Sequence, residues 1–278
     1  MTAATVELVI EAGNRTGLVR ALRELWAFRE VVWAFAERDT RLKYKQAVLG
    51  VAWSVIQPLA FLAIFVFIFG RVGRVSTGSI PYPAFALTAL VPWFFVQTAL
   101  SFGAQALLMD GALLRKVYFP REASVLGAVL SAGLDFSLGL VLLLVLGPFL
   151  GIRLSWTALL AVPLGIVLAV LASGVALALG ALNVYYRDFR YVLPLFLQLW
   201  MFASPVAYPL TAVPERWRTL YVLANPVAGI LDSFRRSLAE GRLPDLGLLL
   251  SSVAMAFAIA WVGYSLFKLI EPGFADVI

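Results

Sequence analysis

Stretches free of Asp, Glu, Lys and Arg recur along this chain at lengths that soluble folds seldom use. Residues 46–70, 75–109, 154–186, 191–214 and 246–267 carry none of the four, and 123–152 is interrupted only by Asp135. The six stretches are 22 to 35 residues long, and about 20 apolar residues in a helix cross the hydrocarbon core of a bilayer. Each predicts a spanning helix, and the three longest leave room for interfacial turns or tilt. The predicted fold class is therefore all-α and integral to a membrane, with six transmembrane helices. Six crossings place both chain ends on one side.

Two further segments have a different pattern. From Leu18 to Asp39, the residues Leu18, Leu22, Leu25, Trp26, Val32 and Trp33 recur at helical spacing, with Arg20, Arg23, Glu24, Glu30, Glu37 and Arg38 on the other face. Arg29 and Val31 interrupt the alternation. A helix with this division lies in the membrane interface, although a soluble core helix has a similar pattern. Residues 211–245 are too polar to span as a unit, but they hold the apolar pieces Leu220–Leu223 and Val227–Leu231 on either side of Asn225-Pro226. This predicts two short helices with a break, re-entrant from the extracytoplasmic face where protein satisfies the backbone, or else a surface loop. The domain division that follows is a cytoplasmic segment, residues 1–50, and a six-span domain, residues 51–278.

Composition supports the membrane assignment. Hydrophobic residues make up 62% of the chain and charged residues 14%, where a soluble domain carries about a quarter charged residues. Mean hydropathy is +0.91, an apolar excess that only lipid can cover. The 22 basic and 16 acidic residues fall between the apolar blocks and form no single patch, which argues against nucleic acid and for a topology signal. With the N-terminus inside, fourteen Lys and Arg lie on the cytoplasmic side and eight outside, and the excess marks the side retained in the cytoplasm. Near the N-terminus, Glu7 and Glu11 and the lack of a basic, apolar, small-residue succession predict no removable signal peptide. The location expected is a bacterial cytoplasmic (inner) membrane, with both termini cytoplasmic.

The chain has no Cys and no His, which excludes thiol and imidazole chemistry and nearly all zinc sites. Asp135 lies 13 residues beyond Glu122, about 19 Å along a helix, where a charge faces a cavity or a polar partner. Structural pairing, with Ser131 or another helix, and a transport role both fit. Pro58, Pro92, Pro163, Pro194 and Pro205 fall within the stretches and are expected to bend or break helices. Aromatic residues cluster at Trp53, at Trp93, Phe94 and Phe95, and at Trp200 and Phe202. They suit stacking on sugar rings, interfacial belts or packing equally. The loop 110–122 is short and basic and presents Val117, Tyr118 and Phe119 ahead of Pro120, as a docking surface or a capped helix end. No G-x-x-x-x-G-K-[ST] loop is present, so energy for transport is expected from another chain.

With Arg38-Asp39, Tyr44, Leu49-Gly50, Trp53 and Pro58 at the first stretch and Pro92-Trp93-Phe94-Phe95 in the second, the chain resembles the ABC-2 type permeases that export cell-surface polysaccharides, O-antigen and teichoic acid exporters among them. The Leu113-Leu114-Arg115-Lys116 to Phe119-Pro120 loop, Asn183 to Arg187-Asp188, Ser204-Pro205-Val206 with Tyr208, and Asn225-Pro226 follow in order over most of the chain. The resemblance implies a homodimer joined by two nucleotide-binding ATPase subunits, which moves a polyprenyl-diphosphate-linked polysaccharide through a channel between protomers. It implies no cofactor on this chain, with ATP and Mg on the partner subunit, and no catalytic or metal residues here. On that basis Leu113, Leu114, Arg115, Lys116, Val117, Tyr118, Phe119 and Pro120 form the ATPase-coupling loop. Arg38, Arg41, Lys43 and Lys45 meet the lipid diphosphate, or serve as positive-inside anchors. Trp53, Trp93, Phe94, Phe95, Asp135 and Trp200 are the channel-lining candidates. A permease exporting a drug or lipid would share fold and partner, whereas a secondary transporter would carry more intramembrane charges. A membrane glycosyl- or acyltransferase would require a His or clustered carboxylates.

Overall fold

The computed structural model describes residues 18–45, 49–78, 80–114, 116–152, 154–186 and 188–274, with side chains described from residue 23 onward. Glu7, Glu11, Arg20, Arg115 and Arg187 of the sequence expectations lie outside these described positions or side chains. Among the described residues every regular element is helical. The helices are α1 (Leu18–Ala27), α2 (Arg29–Tyr44), α3 (Trp53–Phe65), α4 (Tyr82–Met109), α5 (Gly111–Leu114), α6 (Glu122–Leu146), α7 (Ala161–Tyr185), α8 (Phe189–Ala203), α9 (Glu215–Ala224), α10 (Pro226–Leu238) and α11 (Leu246–Ile270).

Among the described residues, five helical stretches are long and apolar enough to cross a membrane: Gly50–Val72, Tyr82–Met109, Glu122–Leu146, Trp156–Tyr185 and Leu246–Gly273. The first continues α3 through a wider turn at Val66–Val72, with hydrogen bonds five residues back such as Gly73 N–H to the Ile68 carbonyl. The stretch 191–214, expected as a full span, holds only the 15-residue α8, about 22 Å long at 1.5 Å per residue. Its helix ends at Ala203 because Pro205 follows, and the residue before a proline is pushed out of the helical region. Ser204 accordingly adopts φ −103°, ψ 153°.

α4 lies at the centre and packs against α6 and α7 along much of its length. Its Ala84, Ala86, Ala89, Ala99 and Ala104 are buried, and small residues let helix backbones approach closely in lipid. The closest approach is between α7 and α11. A Cβ built on Gly263 would stand 2.0 Å from the Gly174 carbonyl oxygen, and one on Gly174 would stand 2.3 Å from the Ala260 Cα. The two helices run in the same direction, since Tyr185 at the end of α7 packs on Phe274 just past α11, ring centroids 6.3 Å apart. Around the bundle Phe149, Leu159, Trp261 and Leu269 are exposed, the outward face that lipid covers. The prolines act unequally: Pro58, Pro92 and Pro194 sit inside helices, whereas Pro163 falls in the first turn of α7, where no backbone N–H is lost from the ladder.

The 211–245 segment forms two short helices, α9 and α10, divided at Asn225. Asn225 holds this break in place: its Oδ1 accepts from Trp200 Nε1 at 3.0 Å, and its Nδ2 donates to Ser204 Oγ at 2.9 Å. Asp245 then starts α11 by accepting from the N–H groups of Gly247 and Leu248, a standard cap of the helix N-terminus.

Candidate functional site

The amphipathic segment is two helices, broken at Phe28 beside the Arg29 and Val31 irregularity. Trp26 and Trp33 are exposed as an interfacial helix requires. Yet α2 does not lie apart from the bundle. It packs along the first half of α6 in the same direction, with Phe35 so close that a Cβ on Gly127 would stand 2.5 Å from the Phe35 Cβ.

Three sets of polar contacts fasten α2, one above the other. At its middle, Arg38 Nη1 donates to Asp110 Oδ1 at 2.5 Å and Nη2 to Asp39 Oδ1 at 2.7 Å, and the Ser124 hydroxyl of α6 also donates to Asp110. Burial works against the Arg38 charge, but hydrogen bonds to Asp110 and Asp39 outweigh it and raise its pKa above the ordinary arginine value. Two residues on, the hydroxyls of Thr40 and Ser131 meet at 2.9 Å. At its end, Lys43 Nζ lies 2.6 Å from Asp135 Oδ2, and the Tyr44 hydroxyl donates to Asp135 Oδ1. Asp135 thus takes its partners from α2, while Ser131 pairs with Thr40.

Beside this last contact a cavity of about 270 Å3 opens between α2, α3, α4 and α6. Of the channel-lining candidates, Trp53, Phe94, Phe95 and Asp135 border it. Trp93 and Trp200 do not: Trp93 is fully buried and meets Trp200 edge to face at 5.9 Å. Lys43, Tyr44, Gln57, Thr98 and Phe102 are among the other polar and aromatic residues of its wall. Among these five, sequence reasoning placed Lys43 at the lipid entry and used Tyr44 in the resemblance; Gln57, Thr98 and Phe102 stood unmarked inside uncharged stretches.

The proposed diphosphate residues are distributed differently from one another. Arg38 and Lys43 are engaged by carboxylates, Arg41 pairs with Glu37 on the exposed side of α2, and Lys45 is exposed. Asp110, the carboxylate that orients Arg38, was legible only as the charge that closes the second stretch.

In the 110–122 loop, Leu113 and Leu114 lie on α5, and Lys116, Val117 and Tyr118 are exposed; Arg115 is outside the described residues. Phe119, expected to be exposed, is 6% exposed. Its ring packs 5.1 Å from that of Phe35, because α2 covers the start of α6 and closes a small apolar cluster with Ala123. Pro120 is buried as well. Tyr118 reaches α1 and donates to Glu24 Oε1 at 3.1 Å. At the same end, Lys268 of α11 binds Glu122 at 2.8 Å and Glu271 at 3.0 Å. The loop therefore shares one end of the molecule with α1 and the end of α11.

At the opposite end, α10 carries Arg235, 2% exposed. Its guanidinium lies over the Phe85 ring at 3.6 Å and donates to the Pro205 carbonyl at 2.7 Å. It pins α10 to α4 and to the turn after α8.

Among the described residues no cluster of three or more Asp and Glu could hold a metal ion. The cavity brings aromatic faces together with the Lys43–Asp135 pair, and the same helix α2 anchors the 110–122 loop. The chain is 29% identical over 262 residues to "O-antigen export system permease protein RfbA" of Myxococcus xanthus, covering 94% of this chain and 100% of that protein. It is 25% identical over 250 residues to a Klebsiella pneumoniae protein of the same name, covering 90% and 95%. To "Polysialic acid transport protein KpsM" of Escherichia coli it is 23% identical over 242 residues, covering 83% and 90%. Residues 30–238, running from α2 to the end of α10, match the family model described as ABC-2 type transporter, and the chain belongs to that family.

Proposed function

We propose that this chain is the membrane permease subunit of an ABC exporter that moves a polyprenyl-diphosphate-linked cell-surface polysaccharide across the bacterial cytoplasmic membrane. ATP hydrolysis on a separate subunit drives the movement. The observation that carries the proposal is the anchored loop 110–122. Its base is locked by Arg38, Asp110 and Phe119, while Lys116, Val117 and Tyr118 project outward. A rigid base under exposed apolar and basic side chains suits a surface that transmits force from a partner. The relatives named for O-antigen export and polysialic acid transport support polysaccharide over a drug or lipid as cargo.

Six crossings, with both ends in the cytoplasm, fit the direction of the helices. α7 and α11 both end beside Tyr185 and Phe274, so the chain between them must return to the far end before α11 begins. α8 and the residues after it make that return. α9 and α10, pinned by Asn225 and Arg235, then form a re-entrant closure on the outer side. Two copies of the permease with two ATPase subunits complete the exporter, and the channel runs between the copies.

The test is copurification of the permease with its candidate ATPase subunit in lipid, followed by ATP turnover. The wild type forms a complex that hydrolyses ATP, and Tyr118→Ala together with Lys116→Ala uncouples it without loss of the fold. A permease that purifies alone and shows no ATPase partner contradicts the proposal.

A further inference from the structure

Resting on the exporter assignment above, we propose that the cavity between α2, α3, α4 and α6 is a subsite for one neutral sugar unit of the exported glycan. Lys43, Asp135 and Gln57 hold its hydroxyls, and Trp53 lies against its ring.

Charge decides against the lipid diphosphate at this position. Lys43 and Asp135 are 2.6 Å apart with side chains only 15% and 16% exposed, so the pair is neutral as a unit. A diphosphate that bound Lys43 would also face the Asp135 carboxylate and would have to strip it of its partner inside the protein, a costly exchange. A sugar hydroxyl faces no such conflict, because it both donates and accepts. An ammonium and a carboxylate side by side offer the matching donor and acceptor, and both keep their charge-assisted strength. Gln57 adds an exposed amide that makes no hydrogen bond among the described residues.

The walls supply the apolar half of sugar recognition. Trp53 borders the cavity and is 52% exposed, so its indole offers an open face on which a ring can stack. Phe102 already carries Lys43 4.8 Å above its ring, so it orients the cation and leaves Trp53 as the open face. The volume of about 270 Å3 falls just under the roughly 300–1,000 Å3 of pockets for drug-sized ligands. It is room enough for one sugar ring. Occupancy also has a route to the loop: Lys43 at the cavity and Arg38 at Asp110 sit on the same helix.

The experiment is saturation-transfer NMR on the permease with its ATPase subunit in lipid nanodiscs. The probes are maltotriose, mannotriose and triacetylchitotriose, with inorganic pyrophosphate and trisialic acid as anionic competitors. At least one neutral trisaccharide binds; Trp53→Ala weakens it about tenfold, as does Thr98→Leu by filling the cavity, while Trp53→Phe retains it. Pyrophosphate does not displace the sugar. The subsite is overturned if no neutral probe binds the wild type, if Trp53→Ala binds as tightly as the wild type, or if pyrophosphate competes. ATP turnover in the same particles separates the two levels: turnover without sugar binding removes the subsite alone, whereas failure to assemble with an ATPase removes the exporter assignment beneath it.

Discussion

Lys43 of α2 and Asp135 of α6 face each other at 2.6 Å, and the pair joins the amino-terminal helices to the half-way point of a spanning helix. A charge at that depth is tolerable because its partner arrives from outside the spans. Removing one partner leaves the other uncompensated in a largely buried place. Asp135→Ala should therefore cost about 3 kcal/mol, seen as a lowered unfolding midpoint in detergent. The double change Lys43→Met with Asp135→Leu should recover most of the loss, and failure to recover would mean that the pair does not act as a unit.

Gly263 and Gly174 set the distance between α7 and α11. Because a Cβ on Gly263 meets backbone and not the tip of a side chain, no rotamer change relieves it. Gly263→Ala should destabilise by about 1–3 kcal/mol. Gly133→Ala on α6, with nothing within 4 Å of the added carbon, should leave the midpoint unchanged or raise it. Equal effects of the two changes would show that the α7–α11 contact is looser than described.

Phe119 and Tyr118 are neighbours with opposite roles. Phe119 is buried on Phe35, and Phe119→Ala should cost about 3–5 kcal/mol in stability. Tyr118, 59% exposed, should tolerate Ala with little change in unfolding but with loss of coupled ATP turnover. Measuring both quantities on both variants separates the fold of the loop from its docking face.

These neighbours also show where the sequence was legible. Uncharged stretches reveal spans because the bilayer penalises charge residue by residue, and the Asn225-Pro226 break revealed the two short helices α9 and α10. The stretch 191–214 holds a helix shorter than the stretch itself, because freedom from charge says nothing about helix length where Pro205 interrupts it. Phe119 misled because its burial depends on α2, about 80 residues earlier in the chain, folding back along α6, and no local pattern encodes that return. The candidate site was legible as residue types: Trp53, Phe94, Phe95 and Asp135 do share a cavity. Trp93 differs from Phe94 and Phe95 only by the face of α4 it occupies, which the all-round apolar helix conceals.

Arg235 pins α10 through Phe85 and the Pro205 carbonyl. Arg235→Ala opens a void and leaves that carbonyl without its donor, a loss of about 3 kcal/mol. Arg235→Lys should not restore it, because an ammonium lacks the planar face that stacks on Phe85. Thermal unfolding of the three proteins checks this ordering, and a lysine variant as stable as the wild type would contradict it.

The most direct test of the central claim is transport itself, in sealed vesicles that hold the permease and its ATPase subunit and are loaded with lipid-linked polysaccharide on the ATP-accessible face. The account predicts that the polysaccharide reaches the opposite face only when ATP is hydrolysed, and that an ATPase-dead partner abolishes the movement. Transfer that proceeds without ATP, or hydrolysis that leaves the polysaccharide where it began, would contradict it.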